Sequence, residues 1–341
     1  MAARGQWDLY NGIYAICISG AFLHAVGRVM SKNESNSNLI VASLLFAVFL
    51  WGANNAGTKY MVQSWPPVFV GATRFLAAGI LFSALLRWTG LFGQRHVIGA
   101  EMSRKLWVRC GLTLGVYIIV FNWALKLTAA SHVVLYLGAA PVWALLWEGR
   151  PEKSWRSVQR YAAAVLALSG VCVLIWPVLR ANTAHTSLAG EVLGLACSIL
   201  WTLYGRMCRS VASELSGAEI SAQSFWRAGV VLIPMAVIEF WTQPVAIPVT
   251  AKLLGVQSFC VLGGGIAAFA LWNSALRHWT TSKVYLFNNL IPLSTMTWAY
   301  FFLDEPITKT FWMALVLIAS GVILGQANWQ KLIDLAVKRP A

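Results

Sequence analysis

The stretch NWALKLTAASHVVLYLGAAPVW (122–143) returns as NSALRHWTTSKVYLFNNLIPLS (273–294), so that Asn122, Ala124, Leu125 and Lys126 meet Asn273, Ala275, Leu276 and Arg277, and Pro141 meets Pro292. An offset of about 150 holds along the chain: Leu50-Trp51 matches Leu200-Trp201, and Ser169-Gly170-Val171 matches Ser320-Gly321-Val322. Internal duplication of a hydrophobic bundle of this size points to a transporter.

Charged residues are 11% of the chain and hydrophobic residues 58%, against roughly 25% charged in a soluble domain. Most of the chain therefore cannot face water. Apolar runs recur at 39–58, 67–87, 107–125, 128–147, 159–178, 188–208, 220–241, 254–276, 284–303 and 310–327. Each is long enough to cross a bilayer as a helix, since about 20 residues at 1.5 Å rise span roughly 30 Å. The runs are continuously apolar rather than alternating, which excludes a β-barrel. The fold class expected is an all-α membrane protein with ten transmembrane helices.

The net charge of +14 is explained by its placement. With both termini cytoplasmic, eighteen Lys and Arg fall in inner segments, among them Arg87, Arg104, Lys105, Arg150, Arg206 and Lys338. Only five fall in outer loops: Lys59, Lys126, Arg180, Lys252 and Lys309. That bias fixes an orientation, and no basic, aromatic-interleaved nucleic-acid patch is needed. The six cysteines form no C-x-x-C pair and read as free thiols. The five histidines are dispersed, so neither a metal site nor a cofactor is expected.

Residues 1–38 read as an N-terminal extension. Tyr10–Val29 carries Gly12, Gly20, Gly27, His24 and Arg28 and makes a poor span. It is either a segment lying at the membrane surface or a consequence of an upstream start, with Met30 as initiator.

Five further pieces, taken in order, resemble the EamA type of the drug/metabolite transporter superfamily: LFAVFLWGANNAGTKY (45–60), ATRFLAAGILF (72–82), the stretch from Asn122 to Glu152, YAAAVLALSGVCVL (161–174) and LGLACSILWTLYGR (193–206), closed by 271–324. The resemblance covers about residues 39–326. It implies two five-helix repeats of inverted topology (39–178 and 188–327), a cytoplasmic tail at 328–341, and export or exchange of a small metabolite by alternating access in a bacterial inner membrane. The inversion has a check in the sequence: Arg150-Pro151-Glu152 follows span 4 and Asp304-Glu305-Pro306 follows span 9, which ten spans place on opposite sides. The partners expected are the metabolite and membrane lipids, with a homodimer left open. The substrate does not carry over, because members of the superfamily handle unrelated molecules.

Candidate site residues follow from the cost of polarity in lipid. An arginine at mid-membrane costs about 2.5–3.5 kcal/mol on insertion scales and should face a cavity or a partner. Arg74 and Arg227 lie at matching depths in spans 2 and 7; the functional reading is attraction of a carboxylate or phosphate. For Arg227, snorkelling or satisfying helix-end carbonyls is the better reading. Asn54, Asn55, Asn288 and Asn289 line a cavity or tie helices together. Trp51, Tyr117, Tyr136, Tyr204 and Trp272 lie deep and would meet a flat solute, with plain packing the commoner explanation. His132, with Lys283 at the matching place, is a candidate for coupling; Lys283 reads better as an inner-edge charge. No Asp or Glu sits clearly at mid-membrane. Proton coupling is carried by Glu191, Glu239 or Glu148 near helix ends, or is absent, which leaves facilitated export or exchange open. Pro141 and Pro292 are candidate hinges.

A membrane enzyme would need a nucleophile with a base, a metal cluster or paired carboxylates, and none stands at usable spacing. A receptor or scaffold would carry a soluble domain. No G-x-x-x-x-G-K-[ST] loop is present, which disfavours ATP-driven transport by this chain.

Overall fold

The computed structural model describes residues 37–89, 96–147, 155–180, 186–242, 246–279, 284 and 286–326. The regular elements among them are helices: α1 (Ser37–Ser64), α2 (Pro67–Trp88), α3 (Ala100–Leu127), α4 (Ala130–Gly138), α5 (Ala140–Trp147), α6 (Trp155–Arg180), α7 (Leu188–Arg209), α8 (Gly217–Thr242), α9 (Ala251–Phe259 continuing through Cys260–Ala267 to Ala268–His278), α10 (Ile291–Leu303) and α11 (Lys309–Gln326). By length and composition α1, α2, α3, α7, α8 and α9 suffice to cross a membrane, and α6 and α11 contain shorter apolar helices. Ile80, Val165, Val192, Val237 and Val316 are each more than half exposed. Such a surface is stable against acyl chains and not against water. This is a multi-pass membrane protein.

Local sequence sets the helix ends. Pro67 opens α2, where its missing N–H costs nothing. Ser187 and Thr250 cap α7 and α9 through their side-chain oxygens. Ser216 and Glu219 form a reciprocal capping box at α8, with Ser216 N donating to Glu219 Oε2 at 2.9 Å and Glu219 N donating to Ser216 Oγ at 3.3 Å. The run 128–147 is split at Ala139, two residues before Pro141. Its counterpart changes from a 3₁₀ turn (Leu286–Leu290) to α10 one residue before Pro292. Both breaks therefore fall at the matched prolines.

The packing reproduces the duplication. Repeat counterparts α2 and α8 pack against one another, as do α6 and α11; α3 on α7 is matched by α9 on α1, and α4 and α5 on α7 by the 3₁₀ turn and α10 on α1. Exchanging the two halves maps this set of pairs onto itself. Glycines at matched positions permit the closest crossings. A Cβ on Gly79 would lie 2.6 Å from Trp226 Cα, and one on Gly229 would lie 2.6 Å from Leu76 N. Rising residue numbers on α2 meet falling ones on α8, so the two helices run antiparallel. Gly170 and Gly321 serve the α6–α11 crossing in the same way, facing Ala314 O and Ala163 O at 2.9 and 2.7 Å.

Candidate functional site

Arg74 is 5% exposed, on the face of α2 that meets α1. Its Nη1 donates to Thr58 Oγ1, which itself donates to the carbonyl of Asn54 at 2.7 Å. The guanidinium carbon stands 4.7 Å from the Phe75 ring centroid. Tyr117 and Cys260 are its other electrostatic neighbours. Among the described residues, no carboxylate lies within ion-pair distance of it. A buried guanidinium with five donors, one hydroxyl acceptor and a ring face is short of negative charge.

Aromatic groups flank it. Tyr117 lies 5.5 Å from Phe121 and 5.2 Å from Trp201, and Trp201 lies 5.5 Å from Tyr204. Trp51, the counterpart of Trp201, donates its indole N–H to Gly264 O at 3.2 Å and packs on Phe269 and Trp272 at 5.2 and 5.0 Å. Asn55 Nδ2 donates to Thr295 Oγ1 at 3.1 Å, tying α1 to α10. Asn54 is half-buried beside α9, and Asn288 and Asn289 are half-buried in the 3₁₀ turn before α10.

A second polar cluster forms where α3, α4 and α7 meet. Glu191 is fully buried, yet its carboxylate accepts from Thr128 Oγ1, from the Tyr136 hydroxyl and from His132 Nδ1, the last at 2.9 Å. The turn between α3 and α4 is held from other sides as well. Lys59 Nζ donates to Thr128 O at 2.7 Å, and Ser187 donates through both N and Oγ to Leu127 O. Glu305 Oε1 accepts from Ala130 N at 2.8 Å, and its Oε2 accepts from Ser131 Oγ at 3.2 Å. Glu305 reaches α4 because Asp304 ends α10 in the left-handed region (φ 54°), a conformation aspartate tolerates.

The remaining candidates fall elsewhere. Arg227 is 3% exposed, and its Nη groups find partners in its own surroundings while its Nε has none among the described residues. It donates to Gln223 Oε1, to Gln223 O at 3.1 Å and to Ser103 Oγ at 3.1 Å, and it lies 4.2 Å from the Trp226 ring. Glu239 Oε2 accepts from Val68 N at 2.9 Å and Phe69 N at 3.2 Å, closing the start of α2. Asn122 Nδ2 bridges to Pro67 O at 2.7 Å rather than capping its own helix. Lys283 and Glu148 lie outside the described residues, as does the side chain of Pro141. Pro292 is buried at the start of α10.

Three residues that sequence reasoning passed over belong to these clusters. Thr58 sits one turn after Asn54, and Trp201 was visible as the repeat partner of Trp51. Glu305 stood in the Asp-Glu-Pro turn that had marked the inversion.

The model of the EamA-like transporter family matches residues 38–176 and again 188–325. The chain is 24% identical to the uncharacterized transporter YwfM of Bacillus subtilis, over 86% of this chain and 96% of that one. It is 23% identical to a probable amino-acid metabolite efflux pump of Escherichia coli, over 84% and 95%. The uncharacterized inner membrane transporter YedA of Escherichia coli is 26% identical over 82% and 88%. Among the solved structures that match, one has a TM-score of 0.56 at 19% identity, covering 90% of this chain and 100% of its own, a likeness of fold alone.

Proposed function

The chain belongs to the EamA-like transporter family, and from that premise we propose that it is a secondary carrier exporting or exchanging a small carboxylate-bearing metabolite, an amino acid or organic acid, by alternating access. Ten crossings in two inverted halves, 39–178 and 188–327, place both termini and the flanking segments 1–38 and 328–341 on the cytoplasmic side. The antiparallel crossing of counterparts α2 and α8 supports the inversion. In this orientation the turn at 127–131 lies at the outer end, and the breaks at Pro141 and Pro292 are the hinges.

The observation that carries the reading is Arg74, a buried cation whose protein partners are a hydroxyl, the Cys260 thiol and a ring, with no carboxylate in ion-pair reach among the described residues. A solute carboxylate supplies the missing acceptor in bidentate geometry. Asn54, Asn288 and Asn289 are assigned as neutral amides along the solute path. The Escherichia coli relative, a probable amino-acid metabolite efflux pump, favours the same class. Arg227, held by Gln223, Ser103 and two tryptophans, is assigned to structure.

The test is mass spectrometry of spent medium from cells overproducing the protein or Arg74→Gln at equal level. A carboxylate metabolite enriched outside with the intact protein alone supports the reading. Equal enrichment with Arg74→Gln overturns the carboxylate anchor.

A further inference from the structure

We infer that Glu239 is a proton-operated latch: its neutral carboxyl group holds the start of α2 against α8, and losing the proton releases that end of the crossing. The use of the latch in transport rests on the carrier reading above. Among the described residues four glutamates are buried, Glu191, Glu219, Glu239 and Glu305. Three of them meet donors on both oxygens, which suits an ionised, acceptor-only carboxylate. Thr128, His132 and Tyr136 donate to Glu191, the N–H groups of His96 and Ser216 to Glu219, and Ala130 N and Ser131 Oγ to Glu305. Glu239 meets donors on one oxygen alone. Its Oε2 accepts from Val68 N and Phe69 N, while its Oε1 is buried and has no partner among the described residues.

The charged groups on the surrounding helices do not make up the deficit. Lys126 on α3 is the electrostatic neighbour of Glu239 but stands beyond ion-pair distance, with its Nζ over the Trp123 ring. Lys59 on α1 donates to Thr128 O, and Lys252 on α9 lies over the Tyr60 ring. Arg74 on α2 is held by Thr58, and Arg227 on α8 by Gln223 and Ser103. A proton on Oε1 answers the geometry. The other oxygen of the neutral acid still accepts from both N–H groups, and the hydroxyl turns a bare buried acceptor into a donor. A donor is what the locality lacks. Asn122 Oδ1 is likewise buried without a partner, on the side chain whose Nδ2 meets Pro67 O, in the same peptide unit as Val68 N. Glu239 lies in the last turn of α8 near Trp241, which is 87% exposed, so a released proton has a short way to outer water. Its repeat counterpart, Thr89, is exposed and carries no titratable group, which confines the latch to one end of the crossing.

Amide hydrogen exchange of the purified full-length protein, read by mass spectrometry on peptides covering the start of α2, tests the latch. A proton bound in the closed form and lost in the open one stabilises closure at low pH, and closure weakens as pH rises. Corrected for the intrinsic pH dependence of exchange, the protection of Val68 and Phe69 should therefore fall between about pH 5 and about pH 9, by up to about tenfold per pH unit. Glu239→Gln is uncharged at every pH and still offers both N–H groups an acceptor, so it should stay protected throughout. The same pH profile in both proteins, or protection that rises with pH in the intact one, overturns the latch. The intact protein alone gives a second readout: its infrared spectrum should show a protonated-acid C=O band that disappears as protection falls, and absence of that band at every pH overturns the proposal. No solute enters either measurement, so the latch can fail with the carrier reading intact, and the reverse.

Discussion

His132 Nδ1 stands 2.9 Å from Glu191 Oε1, joining α4 to α7 across 59 residues of sequence. An ionised carboxylate only accepts, so Nδ1 carries the hydrogen, and Thr128 and Tyr136 donate to the same group. Three of the four matching places in the other half are apolar, the fourth, Lys283 for His132, lying outside the described residues. Val41, Trp279 and Phe287 correspond to Glu191, Thr128 and Tyr136, and there Ile40, Leu44 and Val284 pack with Trp279 and Phe287. One half therefore holds a buried carboxylate with its hydrogen bonds where the other packs an apolar cluster.

Removing the carboxylate leaves three donors without an acceptor. Glu191→Ala should lower stability by about 3–5 kcal/mol, the cost of breaking a buried pair from one side. Tyr136→Phe removes one hydrogen bond and should cost about 1–2 kcal/mol. The double variant should be no less stable than Glu191→Ala, because its orphaned hydroxyl is gone. Thermal unfolding in detergent, followed by chromatography, reads all three. Additive losses would show that Tyr136 is not held through Glu191.

The two buried arginines should separate by phenotype. Arg227→Gln gives up bonds to Gln223 and Ser103 and should lower stability by about 1–3 kcal/mol. Arg74→Gln relieves an unpaired buried charge and should leave the unfolding midpoint unchanged or higher while abolishing carboxylate binding. A lower midpoint in Arg74→Gln with binding retained would make Arg74 structural and send the search for the solute elsewhere.

The duplication, the helical class and the breaks at Pro141 and Pro292 were legible because each depends on residues close in sequence or on a constant offset. The meeting of Glu191 with His132 was not. It depends on where the α3–α4 turn docks against α7, and no local pattern encodes that. Arg227 and Arg74 stand at equal depth in sequence, and although Arg227 already read better as structural, the neighbours that differ, Ser103 in one case and Thr58 in the other, come only with packing. Trp201 was readable as the repeat partner of Trp51, but its contacts with Tyr117 and Tyr204 were not.

Orientation has a direct check at two exposed positions. Val249 is 69% exposed in the segment whose Pro248 carbonyl accepts from Trp65, at the same end as the 127–131 turn; Val97, 98% exposed, lies between α2 and α3. In intact cells a membrane-impermeant maleimide should label Val249→Cys and should reach Val97→Cys only after permeabilisation. The reverse pattern would invert the topology and place the Glu191 cluster on the cytoplasmic side.

The α2–α8 crossing makes the sharpest demand on sequence. A methyl at Gly79 runs into the backbone of Trp226, and one at Gly229 into that of Leu76, so neither obstacle can rotate away. Each alanine should cost about 1–3 kcal/mol by forcing the helices apart. Gly205 is the control, with nothing within 4 Å of its would-be Cβ. There alanine should be neutral or stabilise by about 0.5–1 kcal/mol through helix propensity. Once Gly79→Ala has separated the helices, Gly229→Ala should add less than its cost alone, because the two methyls fill one crossing. Apparent unfolding midpoints of the four variants decide the point: full additivity, or a Gly205→Ala loss as large as the others, would mean that α2 and α8 do not meet as closely as these matched glycines require.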